Sequence, residues 1–254
     1  MSSDPEVERP IKPPPNQTEA PPLVQRAVAA LEVLLCSDYP TQLALGATFA
    51  ALGYRPLGPD GHLLVSYVVT LSLVDTALLL GLIFFFLHAH GERPRDVFLG
   101  GRPIGYEAMA GIPLTFVAVT IAIAVLLAIQ RFAPSLHTVE HNPFQELIRT
   151  PKEAAMFAFV VIVAGGIREE IQRAFLVHRF DVWLGGGVVG IVITSAAFGA
   201  GHFELQGGDA AIATGLLGAL WGIVYLRRRS VVAPVVSHSG FNLLQIVQYL
   251  VAGR

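Results

Sequence analysis

The sequence predicts an all-α fold, a polytopic membrane helix bundle of about six to eight transmembrane helices. Three observations predict it. Hydrophobic residues make up 53% of the 254 and charged residues only 14%, with a mean hydropathy of +0.59. Soluble domains carry about 45–50% apolar and about 25% charged residues. From residue 24 onward the chain runs as a series of apolar stretches, most of them near the roughly 20 residues needed to cross a bilayer. Ionisable side chains within or beside those stretches fall in three clusters, and charge held at membrane depth is costly enough to mark a functional site.

Residues 1–22 hold repeated prolines (Pro5, Pro10, Pro13, Pro14, Pro15, Pro21, Pro22) and few bulky apolar side chains, the composition of a disordered tail. Residues 23–254 follow as a transmembrane helical domain. Its first apolar segment, 24–53, carries Glu32 and Asp38, and Pro40 breaks or kinks it; it reads as one span or as two short interfacial helices. The clearer spans are 64–87, 106–129, 152–175, 185–202, 210–226 and 231–250. Gly215, Gly218, Gly222 and the run Gly185-Gly186-Gly187 let helix backbones approach closely, as packing within a membrane requires.

Basic residues favour the side that stays cytoplasmic. With seven spans and the tail inside, the inner loops contain Arg93, Arg95, Arg102, Arg179 and Arg227-Arg228-Arg229. The outer loops hold Arg55, Arg131, Arg149 and Lys152, the last three diluted by Glu140 and Glu146. The expectation is a multi-pass protein of a prokaryotic plasma membrane with its N-terminus in the cytoplasm. The net charge of −2 gives nucleic acid no purchase, and Cys36 is the single cysteine, so neither an intrachain disulfide nor a paired-Cys zinc site can form.

The three polar clusters are Glu169-Glu170-Ile171-Gln172-Arg173, Phe198…His202 and His238…Asn242. Arg173 lies four residues from Glu169 and three from Glu170, within reach of either on a helix. The two glutamates point about 100° apart, so at most one squarely faces a given cavity. Taken alone, this cluster also fits a helix end at the interface, where charges meet water. A lone His202 at a helix end is most simply a packing or capping residue. His238 and Asn242 stack on one face, and burying both demands polar partners. Jointly the clusters supply a carboxylate to deprotonate water, histidines to hold it, and an amide to meet an oxyanion.

These motifs resemble the CPBP family, which groups CAAX prenyl endopeptidases, bacteriocin-processing enzymes and Abi-type proteins. Its pattern is two glutamates followed by an arginine (EExxxR), then FxxxH, then HxxxN. The second and third stand here in full, with Gly218-Ala-Leu-Trp221-Gly222 and Arg229-Ser230 between them. The resemblance covers residues 150–250 and implies a CAAX-protease-like catalytic core there.

The first motif departs from the pattern, with two residues between the glutamates and Arg173 instead of three. Aligned on the pair, Glu169 is the first glutamate. Aligned on Arg173-Ala174-Phe175-Leu176, Glu169 is the second and Arg168 takes the first place. Both glutamates therefore stand as candidate bases.

The resemblance implies an intramembrane endopeptidase cutting a peptide bond near the membrane surface, with a prenylated CAAX-type or bacteriocin-like substrate. The expected catalytic set is Glu169, Glu170, Arg173, His202, His238 and Asn242. A divalent metal, zinc, is one reading, with His202, His238 and Glu169 or Glu170 as ligands; a metal-free, glutamate-activated water is the equal alternative. Lipids and a peptide or prenylated protein are the expected partners. Two non-protease readings compete. One is a degenerate family member acting as a membrane scaffold or peptide-binding protein. The other is a small transporter, into which Asp75 would fit, although no internal repeat supports it. His137-Thr-Val-Glu140-His141 reads as surface, and Arg227-Arg228-Arg229 as a headgroup anchor.

Overall fold

The computed structural model describes residues 22–59, 61–137, 147 and 150–252. The tail expected over 1–22 lies, Pro22 apart, outside the described residues, as do Glu140 and His141. The described chain is helical, with only an isolated bridge between Leu57 and Leu63. Its helices are α1 (Leu23–Leu35), α2 (Tyr39–Ala51), α3 (Val65–Ala89), α4 (Pro94–Phe98), α5 (Ile104–Phe132), α6 (Pro151–Val160), α7 (Glu169–Trp183), α8 (Gly187–Arg228) and α9 (Val232–Ala252).

The all-α membrane bundle is borne out. Val65–Ala89, Ile104–Phe132 and Gln206–Arg228 are each long and apolar enough to cross a membrane, and Gly187–Phe203 is a shorter apolar helix. These helices turn large apolar side chains outward, among them Phe84 and Phe85 on α3, Phe116 and Leu127 on α5, and Val192 and Leu216 on α8. Inside the bundle the distribution inverts. Helix α7 buries Glu170, Gln172, Arg173 and Arg179 beside Phe175 and Val177. Polar groups within and apolar groups without is the arrangement a bilayer demands.

Two segments resolve differently from single spans. The 24–53 segment is two helices of 13 residues each, about 20 Å apiece and too short to cross alone. The break falls at Ser37–Asp38, where Asp38 sits at φ +80°; Asp is among the residues that tolerate this region. Pro40 then occupies the first turn of α2, where its missing N–H costs nothing. The 152–175 stretch is instead one stage of a longer helical run. Helix α6 passes through a π-helical segment, Val161–Arg168, directly into α7. The charged cluster is therefore no helix end meeting water, since Arg168, Glu170 and Arg173 are all buried.

Helix α8 contains one sharp break, at Gly207 (φ +89°, ψ +175°). A side chain at that φ would be strained, so glycine permits the kink. The main core joins α3 to α7 through Leu79, Ile83, Leu87, Phe175 and Val177, with Phe98 and Tyr225 closing one end.

At that end a charge cluster ties α1, α3 and α7 together. Arg179 donates to both oxygens of Glu92 (2.9 and 2.7 Å) and through Nε to Glu32, which also meets His90. Partial burial pushes the Glu92 carboxyl up, but the His178 hydrogen bond and the Arg179 charge outweigh it and hold it below the ordinary carboxylate range. A carboxyl lowered in the fold stabilises fully above its unfolded value of about 4.3, and that stability disappears as pH falls through the folded value. The melting temperature in detergent should therefore fall as the buffer is taken below about pH 4.3. Glu92→Gln should be less stable at pH 7 and show a shallower loss on acidification.

Candidate active site

The apolar residues that lead into the glutamates also line a cavity of about 370 Å³. Phe157, Val160, Val161, Ala164, Gly165, Arg168 and Glu169 face it in turn, a stripe at helical spacing. Glu169 closes that stripe. Glu170, one position on, is directed elsewhere, as the roughly 100° step between neighbours requires.

Helices α8 and α9 supply the polar walls, and α3 and α5 add Val68, Ser72, Ala122 and Leu126. His202 and Phe198 come from the first half of α8, Trp221 from the second, and His238 and Asn242 from α9. Four of the six expected catalytic residues, Glu169, His202, His238 and Asn242, line this space, and Glu170 touches His238 from behind it. Arg173, the sixth, stands behind it.

Glu170 is 1% exposed and accepts hydrogen bonds from Arg173 Nη1 and from His238 Nδ1, the latter at 2.8 Å. The Arg173 guanidinium lies 4.8 Å above the Phe198 ring and 5.7 Å from that of Trp221. Trp221 in turn stacks on His238, with centroids 3.9 Å apart and planes 16° from parallel, and donates to Ser237 at 3.1 Å. The His238 ring is thus fixed on an edge and a face. With Nδ1 donating to a carboxylate, the neutral ring presents Nε2 as an acceptor. That nitrogen lies 3.8 Å from Glu169 Oε2.

His202 is oriented the same way by a different partner. Its Nδ1 donates to the Phe198 carbonyl at 2.8 Å, which leaves Nε2 for a water or a substrate. Its ring also packs edge-on against Phe198 at 4.7 Å, so it is both a packed residue and a cavity residue. Asn242 donates weakly to the Val161 carbonyl (3.4 Å). It stands beside Gly165, where a Cβ would come within 2.7 Å of Nδ2; the π-helical glycine is what lets the amide sit there.

Zinc sites draw on at least three protein ligands. Among the described residues no three His, Cys, Asp or Glu side chains gather as such a set.

Residues 150–244 match the family model described as type II CAAX prenyl endopeptidase, Rce1-like. This segment is a CAAX-protease family domain. It begins at the cap of α6 and ends within α9, so it contains all six expected residues and covers well under half of the chain. No curated protein and no solved structure matches the chain. Over this segment the chain is similar to a family of membrane proteases.

Several residues that the sequence offered without a role at the site contribute to it. Trp221 was visible only as text flanking the motifs. Arg168 pairs with Asp38 (2.7 Å) and lies 3.9 Å from Asp75, both outside the family domain. Asp75 is 2% exposed and faces this arginine, which accounts for it without an ion pathway. His137 pairs with Asp209 at 2.6 Å and remains on the surface.

Proposed function

We propose that the protein hydrolyses a peptide bond with Glu169 as general base, on a prenylated, CAAX-type substrate entering from the lipid side. The observation that carries this reading is that Glu169, and not Glu170, shares the cavity with His202, His238 and Asn242. A water that donates one hydrogen to a histidine Nε2 and the other to Glu169 would give the second proton to Glu169 as its oxygen attacks the scissile carbonyl carbon. The carbonyl electron pair moves to oxygen, and Asn242 Nδ2 donates to the oxyanion that forms. When the tetrahedral intermediate collapses, the C–N bond breaks and Glu169 returns the proton to the leaving amine. Glu170 and Arg173 hold His238 in place and exchange no proton with the substrate.

The walls favour a lipid-modified substrate. Leu126, Phe157, Leu217, Phe241 and Ile246 line the cavity beside the polar group, so an apolar chain can be buried while the peptide reaches Glu169. The basic loops support a cytoplasmic N-terminus, and the membrane proposed is a prokaryotic plasma membrane.

The test is cleavage by the purified protein in nanodiscs of three peptides: a farnesylated CAAX peptide, the same peptide without the lipid, and a bacteriocin-leader-like peptide. Cleavage of the farnesylated peptide alone, with one ¹⁸O from labelled water in the new carboxylate, is the expected result. Preference for the leader peptide overturns the substrate class, and no cleavage of any peptide favours the scaffold reading.

Gly165→Ala probes the oxyanion contact. The added methyl must displace the Asn242 amide, so cleavage should fall by roughly 10²-fold, the scale of one lost oxyanion donor. The melting temperature should barely change, because alanine favours the helix by about 1 kcal/mol.

A further inference from the structure

We propose that Arg168 is a positioning residue for Glu169, and that the elbow between α1 and α2, outside the family domain, holds it there. The inference rests on the reading of Glu169 as the base.

Arg168 is 6% exposed and spreads its fork over two sides. Nη1 donates to Asp38 Oδ2 at 2.7 Å and to Gln172 Oε1 at 3.1 Å. Nη2 lies 3.9 Å from Asp75 Oδ2 and 3.7 Å from Glu169 Oε1. The other Glu169 oxygen lies 3.8 Å from His238 Nε2, so the carboxylate is flanked by a cation on one side and an imidazole on the other. Arg168 itself lines the cavity. A guanidinium serving only to neutralise Asp38 would need one edge; here the second nitrogen is turned toward the reacting carboxylate.

The elbow is fastened to the domain independently of this ion pair. Gln172 Nε2 donates to the Cys36 carbonyl at 2.9 Å, and Tyr39 donates to the Ala197 carbonyl at 2.7 Å. Asp38 sits between these two anchors in the left-handed conformation, a geometry retained where surroundings dictate it. Asp75, buried on α3 with neither oxygen hydrogen-bonded, lies 3.9 Å from Nη2 on the opposite side. Two helices outside the family domain thus reach the base through one arginine.

The test uses the full-length protein in nanodiscs and the farnesylated CAAX peptide, measuring kcat and KM separately. Arg168→Gln alone would strand Asp38 and Asp75, so the informative variant is the triple Arg168→Gln, Asp38→Asn and Asp75→Asn, which removes the arginine and both aspartates together. It should fold, keep its KM and lose kcat by about 10- to 100-fold, the scale of a misplaced catalytic group. Arg168→Lys, which restores a point charge without the fork, should recover part of that loss. A triple variant at wild-type kcat, or one whose KM rises while kcat holds, overturns the proposal. Glu169→Gln in the same assay separates the two ideas. If it is inactive while the triple variant is normal, only the positioning role falls; if it cleaves normally, the base assignment falls as well.

Discussion

Glu169→Gln should abolish peptide cleavage, lowering kcat by about 10²- to 10⁴-fold, the usual contribution of general acid–base catalysis. The substitution keeps the shape of the side chain and removes its capacity to take a proton. Folding should survive. Glu169 is the partly exposed member of the pair, with charged neighbours no closer than 3.7 Å, and Arg168 retains Asp38 and Asp75 without it. The melting temperature should therefore stay close to that of the parent, and binding of an uncleaved farnesylated peptide should persist. Glu170→Gln should behave in the opposite way, with its larger effect on stability. If Glu170→Gln proves stable and inactive while Glu169→Gln retains activity, the two roles are reversed. Retained cleavage in both removes the carboxylates from the chemistry.

The sequence carried the fold class in its hydropathy and the three clusters in their spacing. His238 and Asn242 were legible as one helical face, and that face does line the cavity. The choice between Glu169 and Glu170 was not legible. In a soluble helix the apolar stripe tells which way each residue points. Within an apolar run such as Ala154–Gly166 every side is apolar, so no stripe singles out the cavity face, and the π-helical turn before Glu169 shifts the phase further. The 24–53 segment was ambiguous for a related reason: Glu32 and Asp38 look like costs to a span until Arg179 and Arg168, more than a hundred residues away, arrive as their partners. Pairings of that range leave no local signature.

The second large effect concerns Arg173, and its readout is stability. Replacing Arg173 with Met should destabilise the fold by roughly 3–5 kcal/mol, because breaking a buried pair from one side leaves an uncompensated charge. The charge left behind is Glu170, 1% exposed, with His238 Nδ1 as its remaining partner. Arg173 also lies over Phe198 and near Trp221, and Met keeps much of that packing while losing the cation. Lysine should recover only part of the stability, since it keeps the charge but cannot lie flat on the ring. The double variant Arg173→Met with Glu170→Gln separates charge from shape. With both charges gone nothing is stranded, and the stability should return most of the way to the parent value. Its activity should not follow, because His238 then loses the carboxylate that fixes its tautomer and its edge. Thermal unfolding of the two single variants and the double variant in nanodiscs gives the coupling directly. Single-variant losses that simply add would mean that the pair is not a coupled unit. The orientation of His238 would then have to come from its stacking on Trp221 alone.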